Sequence, residues 1–192
     1  MKLVYNIKDI PKKYRYIFTI GNFDGFHTGH QKILKALLKE KKIPNDKILL
    51  ITFVVHTRDI DGSYDYLTSK KDTEKFFALY GVDFVLKLDF KKIKDVEYDE
   101  FLKWLNDNLD LKAMILTEKL RIGHNRKGTT KKIISTLQAL KNDIAIKCIP
   151  LVVMDHKPVS TTAIKKLIQG GNFRQANKLL GYKYRASDRQ AE

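Results

Sequence analysis

Residues 16–38 read YIFTIGNFDGFHTGHQKILKALL, and the change of period inside this stretch decides the fold. Tyr16–Gly21 is a short apolar run closed by glycine. Thr28–Lys41 then carries Ile33, Leu34, Leu37 and Leu38 at helical spacing. A strand that passes through a glycine-rich turn into a helix is half of the unit whose repetition builds parallel sheets.

Outward from this stretch the alternation continues. Pro44, Asn45 and Asp46 form a turn, and Ile48–Val55 is apolar enough for a strand buried on both faces. Ser69–Gly81 reads as a helix with Phe76, Phe77 and Tyr80 on one side, and Asp83–Leu88 as a strand. Tyr98–Leu109 (helix), Ala113–Thr117 (strand), Thr129–Leu140 (helix) and Ile144–Val153 (strand) follow. Thr161–Gln169 and Phe173–Leu180 close the series as two short helices, each followed by glycine. The fold class expected is α/β: a Rossmann-like, doubly wound parallel sheet of about five strands, with helices on both faces and a short C-terminal helical pair. Neither an internal repeat nor a low-complexity segment is present. Ligands of such sheets sit beyond the carboxyl ends of the strands, so the junctions after Gly21, Val55, Thr117 and Val153 are the places to search.

The 192 residues suit one domain with a sizeable core, and 43% apolar positions exclude a disordered chain. No apolar run approaches the roughly 20 residues that span a bilayer, and Met1–Pro11 lacks the core of a signal peptide. The lone Cys148 rules out an internal disulfide framework and reads as a small buried residue; the setting expected is the cytoplasm. Thirty-seven Lys and Arg against 22 Asp and Glu leave +15, a balance that attracts anions. Basic pairs are scattered over the whole chain and Lys outnumbers Arg 30 to 7, a pattern of a solvated surface more than of a reader of nucleic acid.

The first junction, residues 21–30, combines glycines that let a ligand approach the backbone with His27 and His30 three apart at a helix start. Free amides and two imidazoles there suit a phosphoryl group whose charge grows during in-line displacement. A zinc pair is the rival, although no Cys or carboxylate cluster supplies further ligands and no metal site is assigned. A purely structural reading has His27 capping the helix and His30 packed. At the last junction Ser160, Thr161 and Thr162 open a helix, and Lys165 lies one turn along as a point charge. His56 stands at a strand's carboxyl end, where a ligand contact is plausible; His124 reads as solvated and His156 as a turn residue.

The pattern Gly-x-Phe-Asp-x-x-His-x-Gly-His resembles the signature of the nucleotidylyltransferases that use paired histidines. The longer stretch TIGNFDGFHTGHQ, residues 19–31, resembles the adenylyltransferase module of bacterial FAD synthetases. Ordered matches extend to about Tyr184: Leu67–Thr68 with Glu74–Lys75, then GVDFV at 81–85, GHNRKG at 123–128, VSTTAIK at 159–165 and LLGY at 179–182. The resemblance implies that ATP and FMN are the substrates, with Mg²⁺, and that FAD and pyrophosphate are the products. It gives His27, His30 and Lys165 catalytic roles and makes Gly21, Asn22, Phe23, Asp24, Gly29, Ser160, Thr161 and Thr162 the nucleotide site. His56, Arg121 and Arg126 fall on the flavin or acceptor side.

The sequence departs from the family pattern in places. Val55-His56-Thr57 stands where Pro-His-Pro is usual, Lys119 and Leu120 replace an acid or amide and an aromatic, and Lys165 replaces an arginine. The family usually continues into a riboflavin kinase barrel, whereas this sequence stops just after Tyr184. The division expected is therefore a nucleotidylyltransferase domain at 1–184 and a polar tail at 185–192, without riboflavin phosphorylation. Two other readings compete: a sibling nucleotidylyltransferase with another phosphorylated acceptor, and a basic nucleic-acid-binding protein that has lost catalysis.

Overall fold

The structure is a computed structural model and describes residues 1–59, 62–141 and 143–185. Six strands form one parallel sheet: β1 (Lys2–Val4), β2 (Arg15–Ile20), β3 (Asp46–Phe53), β4 (Phe84–Leu88), β5 (Asp110–Thr117) and β8 (Ala145–Ile149), in the order β1-β4-β3-β2-β5-β8. The helices α1 (Thr28–Glu40), α2 (Lys70–Leu79), the short α3 (Phe90–Ile93), α4 (Tyr98–Asn108) and α5 (Thr130–Leu140) connect them. Two hairpins, β6 (Arg121–Ile122) with β7 (Gly128–Thr129) and β9 (Val153–Met154) with β10 (Lys157–Pro158), lie outside the sheet, and α6 (Thr161–Gln169) and α7 (Phe173–Leu180) end the series.

Period-two alternation divides each inner strand between two buried faces. Tyr16, Phe18, Leu49, Ile51, Met114 and Leu116 pack with α4 and α5 residues such as Leu102, Leu105, Ile133 and Leu137. Ile17, Ile48, Leu50, Val85 and Ile115 pack on the other side with Leu34 and Leu37 of α1 and Phe77 of α2. A third cluster of Leu67, Ile164, Ala176, Leu180 and Tyr184 lies under α6 and α7. The strand order reverses at β2, which has β3 on one side and β5 on the other, so a crevice opens between the carboxyl ends of β2 and β5. The helical pair also closes onto the start of α1: Thr28 Oγ1 donates to the Leu179 carbonyl at 3.0 Å, Gln31 Nε2 to that of Leu180 at 2.7 Å, and the Tyr182 hydroxyl to that of Gly25 at 2.9 Å.

The α/β class and the helical pair are as the sequence indicates, and the differences lie at the sheet's edges. A sixth strand, β1, pairs with β4; three residues, the first a lysine, carry too little pattern to reveal it. The strand expected over Ile144–Val153 ends at Ile149 before Pro150, and Val153 belongs to the β9–β10 hairpin. As β8 is an edge strand, Cys148 is exposed and not buried. Trp104 packs half-buried against the α4–α5 core. Residues 186–192 of the expected tail lie outside the described residues.

Asp46 ties the beginnings of β2 and β3 together. Its fully buried carboxylate accepts from Arg15 Nε and Nη2 at 2.9 and 2.6 Å and from the Lys42 and Ile43 amides at 2.9 and 3.2 Å. Those bonds, led by the Lys42 amide and the Arg15 guanidinium, outweigh desolvation and hold its pKa below the ordinary carboxylate value. Asp46→Ala strands Arg15 and two amides and is expected to cost about 3 kcal/mol, read as a lower urea midpoint at unchanged m-value.

Candidate active site

The β2–α1 loop is turned by its aromatic residues. Phe23 and Phe26 adopt left-handed backbone (φ 56° and 39°) and are buried in the α1–α2 core, where Phe26 stacks on Phe76 with centroids 4.6 Å apart and Phe23 meets Phe77 edge-on at 5.6 Å. With the phenylalanines drawn inward, Asp24, His27 and His30 gather at the start of α1.

His27 is the N-cap residue of α1, yet its side chain makes no capping bond, so the structural alternative for it does not hold. Its ring lies parallel to that of His30, with centroids 3.8 Å apart and planes at 16°. A Cβ at Gly29 would come within 3.0 Å of the His27 ring, so glycine there keeps the imidazole where it is. Both Nδ1 atoms are buried without a hydrogen-bond partner among the described residues. Burial brings the His27 pKa down to about 4; burial, and then the neighbouring His27, hold His30 well below the ordinary imidazole value. Two neutral rings with open nitrogens thus stand at a helix end whose first turn contains no acidic residue. Such a place suits an anion. Among the described residues no group of three or more His, Cys, Asp or Glu is placed to hold a metal ion.

Asp24 joins this loop to two other segments. Its buried carboxylate accepts from the Leu67 amide at 2.8 Å and the Tyr64 hydroxyl at 3.1 Å, and Lys165 Nζ lies 3.8 Å away. Desolvation raises its pKa against the pull of these partners. Its carbonyl accepts from Thr161 Oγ1 at 3.0 Å, which brings the amino end of α6 beside that of α1. Of the Ser-Thr-Thr run, Ser160 spends its hydroxyl on the Ala163 amide at 3.2 Å, and Thr162 is exposed on a separate groove beside Lys157 and Lys166. Thr161 and Lys165 therefore face the histidine loop, whereas Thr162 does not.

The crevice between β2 and β5 is a cavity of about 490 Å³. Gly21, Asn22, Phe23 and His30 line it, with an apolar floor that includes Ile20, Phe53, Phe90 and Phe101. Arg58, Lys94, Lys119, Arg121 and Arg126 also line it, and among the described residues no acidic side chain does. Gly123 shapes one wall: its φ is +75°, and a Cβ there would fall 2.5 Å from the Tyr98 nitrogen. His56 sits apart from Arg121 and Arg126, in a smaller chamber of about 60 Å³ that it shares with Asp24 and Thr68. Its ring stacks on Tyr64 at 3.9 Å, and burial together with nearby Arg58 and Lys165 lowers its pKa to about 4. Asn22 and Thr57 exchange hydrogen bonds at 3.1 and 3.0 Å across the two spaces. His124 lies 3.4 Å from Asp95, and His156 is exposed in the β9–β10 turn, both away from the crevice. Tyr64 and Arg58 had no visible signal, because the segment that carries them shows neither period two nor period 3.6.

The sequence profile of the family described as FAD synthetase matches residues 9–163. The FAD synthetase of Listeria monocytogenes is 28% identical over 171 residues, which is 86% of this chain and 68% of that one. The bifunctional riboflavin kinase/FMN adenylyltransferases of Buchnera aphidicola (from Schizaphis graminum) and Escherichia coli K12 are 29% and 25% identical over 98% of this chain, which spans 62% of their length. A crystal structure of a protein described as a macrolide-efflux protein from Streptococcus pneumoniae superposes with a TM-score of 0.81 at 23% identity, over 94% of this chain and 61% of that one, a likeness of fold.

The buried His27 has a consequence for stability. The unfolded imidazole takes its proton near pH 6.5 and the buried one only near 4, so between these values the unfolded chain binds more protons and stability falls as pH drops. Urea melts should lose on the order of 3 kcal/mol to this residue across that window. His27→Asn should flatten the slope by that amount; identical slopes would contradict it.

Proposed function

The chain belongs to the FAD synthetase family, and we propose that it transfers AMP from ATP to the phosphate of FMN, giving FAD and pyrophosphate. The observation that carries this reading is the pair of neutral imidazoles, each with an unpartnered Nδ1, at the bare amino end of α1, beside a cavity that five cations and, among the described residues, no acid line. The family supplies the substrates, and the site supplies the means.

In this reading an oxygen of the FMN phosphate attacks the α-phosphorus while the bond to the β-phosphate oxygen breaks. A phosphate monoester loses its second proton near pH 6, so the nucleophile is already a dianion at neutral pH and no general base is needed. His27, His30 and the first amides of α1 donate to the equatorial oxygens of the transferred group as their charge grows. Once the anion is bound it draws the histidine pKa values back up, so the rings donate more strongly with substrate than without. Lys165 and the opening amides of α6, which Thr161 ties to the Asp24 carbonyl, hold the departing pyrophosphate, while Gly21, Asn22, Phe23 and Asp24 line the nucleotide. Arg121 and Arg126 face the acceptor. Mg²⁺ comes with ATP as part of the substrate and offsets polyphosphate charge. The domain responsible is residues 1–184. No helix among the described residues is long and apolar enough to cross a membrane, and a cytoplasmic setting goes with the two substrates.

The test is to incubate the protein with FMN, ATP and Mg²⁺ and separate the products chromatographically. FAD and pyrophosphate should accumulate together, and His30→Ala should lower kcat/KM on the order of 100-fold, as losing one oxyanion donor does. Absence of FAD where a known synthetase makes it, or an unimpaired His30→Ala, overturns the assignment. AMP transfer to a different phosphorylated acceptor would move the chain to a sibling reaction.

A further inference from the structure

The ammonium of Lys165 is held by residues from two other segments. Nζ lies 3.8 Å from Asp24 Oδ2 and 3.7 Å from the centroid of the Tyr64 ring, and the side chain is 15% exposed. The Tyr64 hydroxyl donates to that same Asp24 oxygen at 3.1 Å. One residue of the loop between β3 and α2 thus touches both members of the ion pair. The other face of its ring is backed by His56, parallel at 3.9 Å, and the His56 amide donates to the Tyr66 hydroxyl at 2.7 Å. The ring therefore stands in a supported stack with the cation on its outer face.

A lysine needs such support more than an arginine would. Its charge sits at the end of a flexible four-carbon stem, without the rigid fork that orients a guanidinium. An aromatic face attracts the ammonium through the ring quadrupole and, unlike a second carboxylate, brings no negative charge into a site that receives a polyphosphate. We infer that Tyr64 is a positioning residue for the transfer, setting the Lys165 ammonium where the departing pyrophosphate forms. This rests on the nucleotidylyltransferase reading above. If Tyr64 served only to pack its loop, its loss would be felt equally with and without Lys165.

A double-mutant cycle reads the difference. Wild type, Tyr64→Leu, Lys165→Ala and the double variant are assayed for pyrophosphate release with FMN and Mg·ATP, and calorimetry measures their affinity for Mg·α,β-methylene-ATP. Tyr64→Leu should lower kcat about tenfold with KM for FMN within twofold, an effect the size of a desolvated cation–ring contact. Tyr64→Phe, which keeps the ring, should recover kcat to within about threefold of wild type. In the Lys165→Ala background, Tyr64→Leu should cost under about twofold. A tenfold loss that persists without Lys165, or a Tyr64→Phe as poor as Tyr64→Leu, overturns the inference. The calorimetry keeps the two readings apart. If wild type makes no FAD but Tyr64→Leu weakens analogue binding only when Lys165 is present, the acceptor assignment falls and the positioning role stands. Equal weakening with and without Lys165 overturns the role whatever the acceptor.

Discussion

The site depends on two phenylalanines that point the wrong way for a ligand loop. Phe23 and Phe26 are bulky residues in left-handed backbone, a conformation that costs about 1–3 kcal/mol each. Burial of each ring against Phe76, Phe77 and the α1 leucines returns about as much. The exchange leaves little net stability and a fixed loop. With both rings anchored, His30 lines the crevice, Asp24 lines the smaller chamber, and the loop delivers the chain to the amino end of α1. The remaining polar features take their places from that anchoring.

Electrostatically the site is built for a guest. Two imidazoles kept neutral by burial, an uncompensated helix end and a cavity rimmed with cations raise the free energy of the empty protein. A bound polyanion lowers it by supplying the missing acceptors. The overall charge of +15 says little about this: most basic residues are spread over the surface, and the few that matter differ by where the chain turns. Asp24 is the counterweight, a buried carboxylate close enough to Lys165 to hold it but flanked by donors that keep its charge contained.

Much of this was legible in residues 16–38, because a strand, a glycine-rich turn and a helix leave different periods in adjacent stretches. The histidines could be assigned to a helix start from spacing alone. The edges of the sheet could not: β1 is three residues long, and β8 stops at a proline and leaves half its side chains in solvent, so neither carries the apolar signature of an inner strand. Nor could the sequence tell that Thr162 points away from Asp24 while Thr161 bonds to it, since adjacent positions at a helix start diverge by about 100°. Tyr64 lay hidden for a different reason. Its role comes from a stack with His56 and Lys165, whose order along the chain bears no relation to their order in space.

The bonds that clasp the site reach far along the chain. Thr28 to Leu179, Gln31 to Leu180, Gly25 to Tyr182 and Asp24 to Thr161 join residues 137 to 157 positions apart. As the chain leaves a ribosome, the inner strands can already pair while the loop at 21–30 still lacks every one of these partners. The chemistry of residues 24–31 therefore waits on residues 161–182, and the sheet can take shape before the site does.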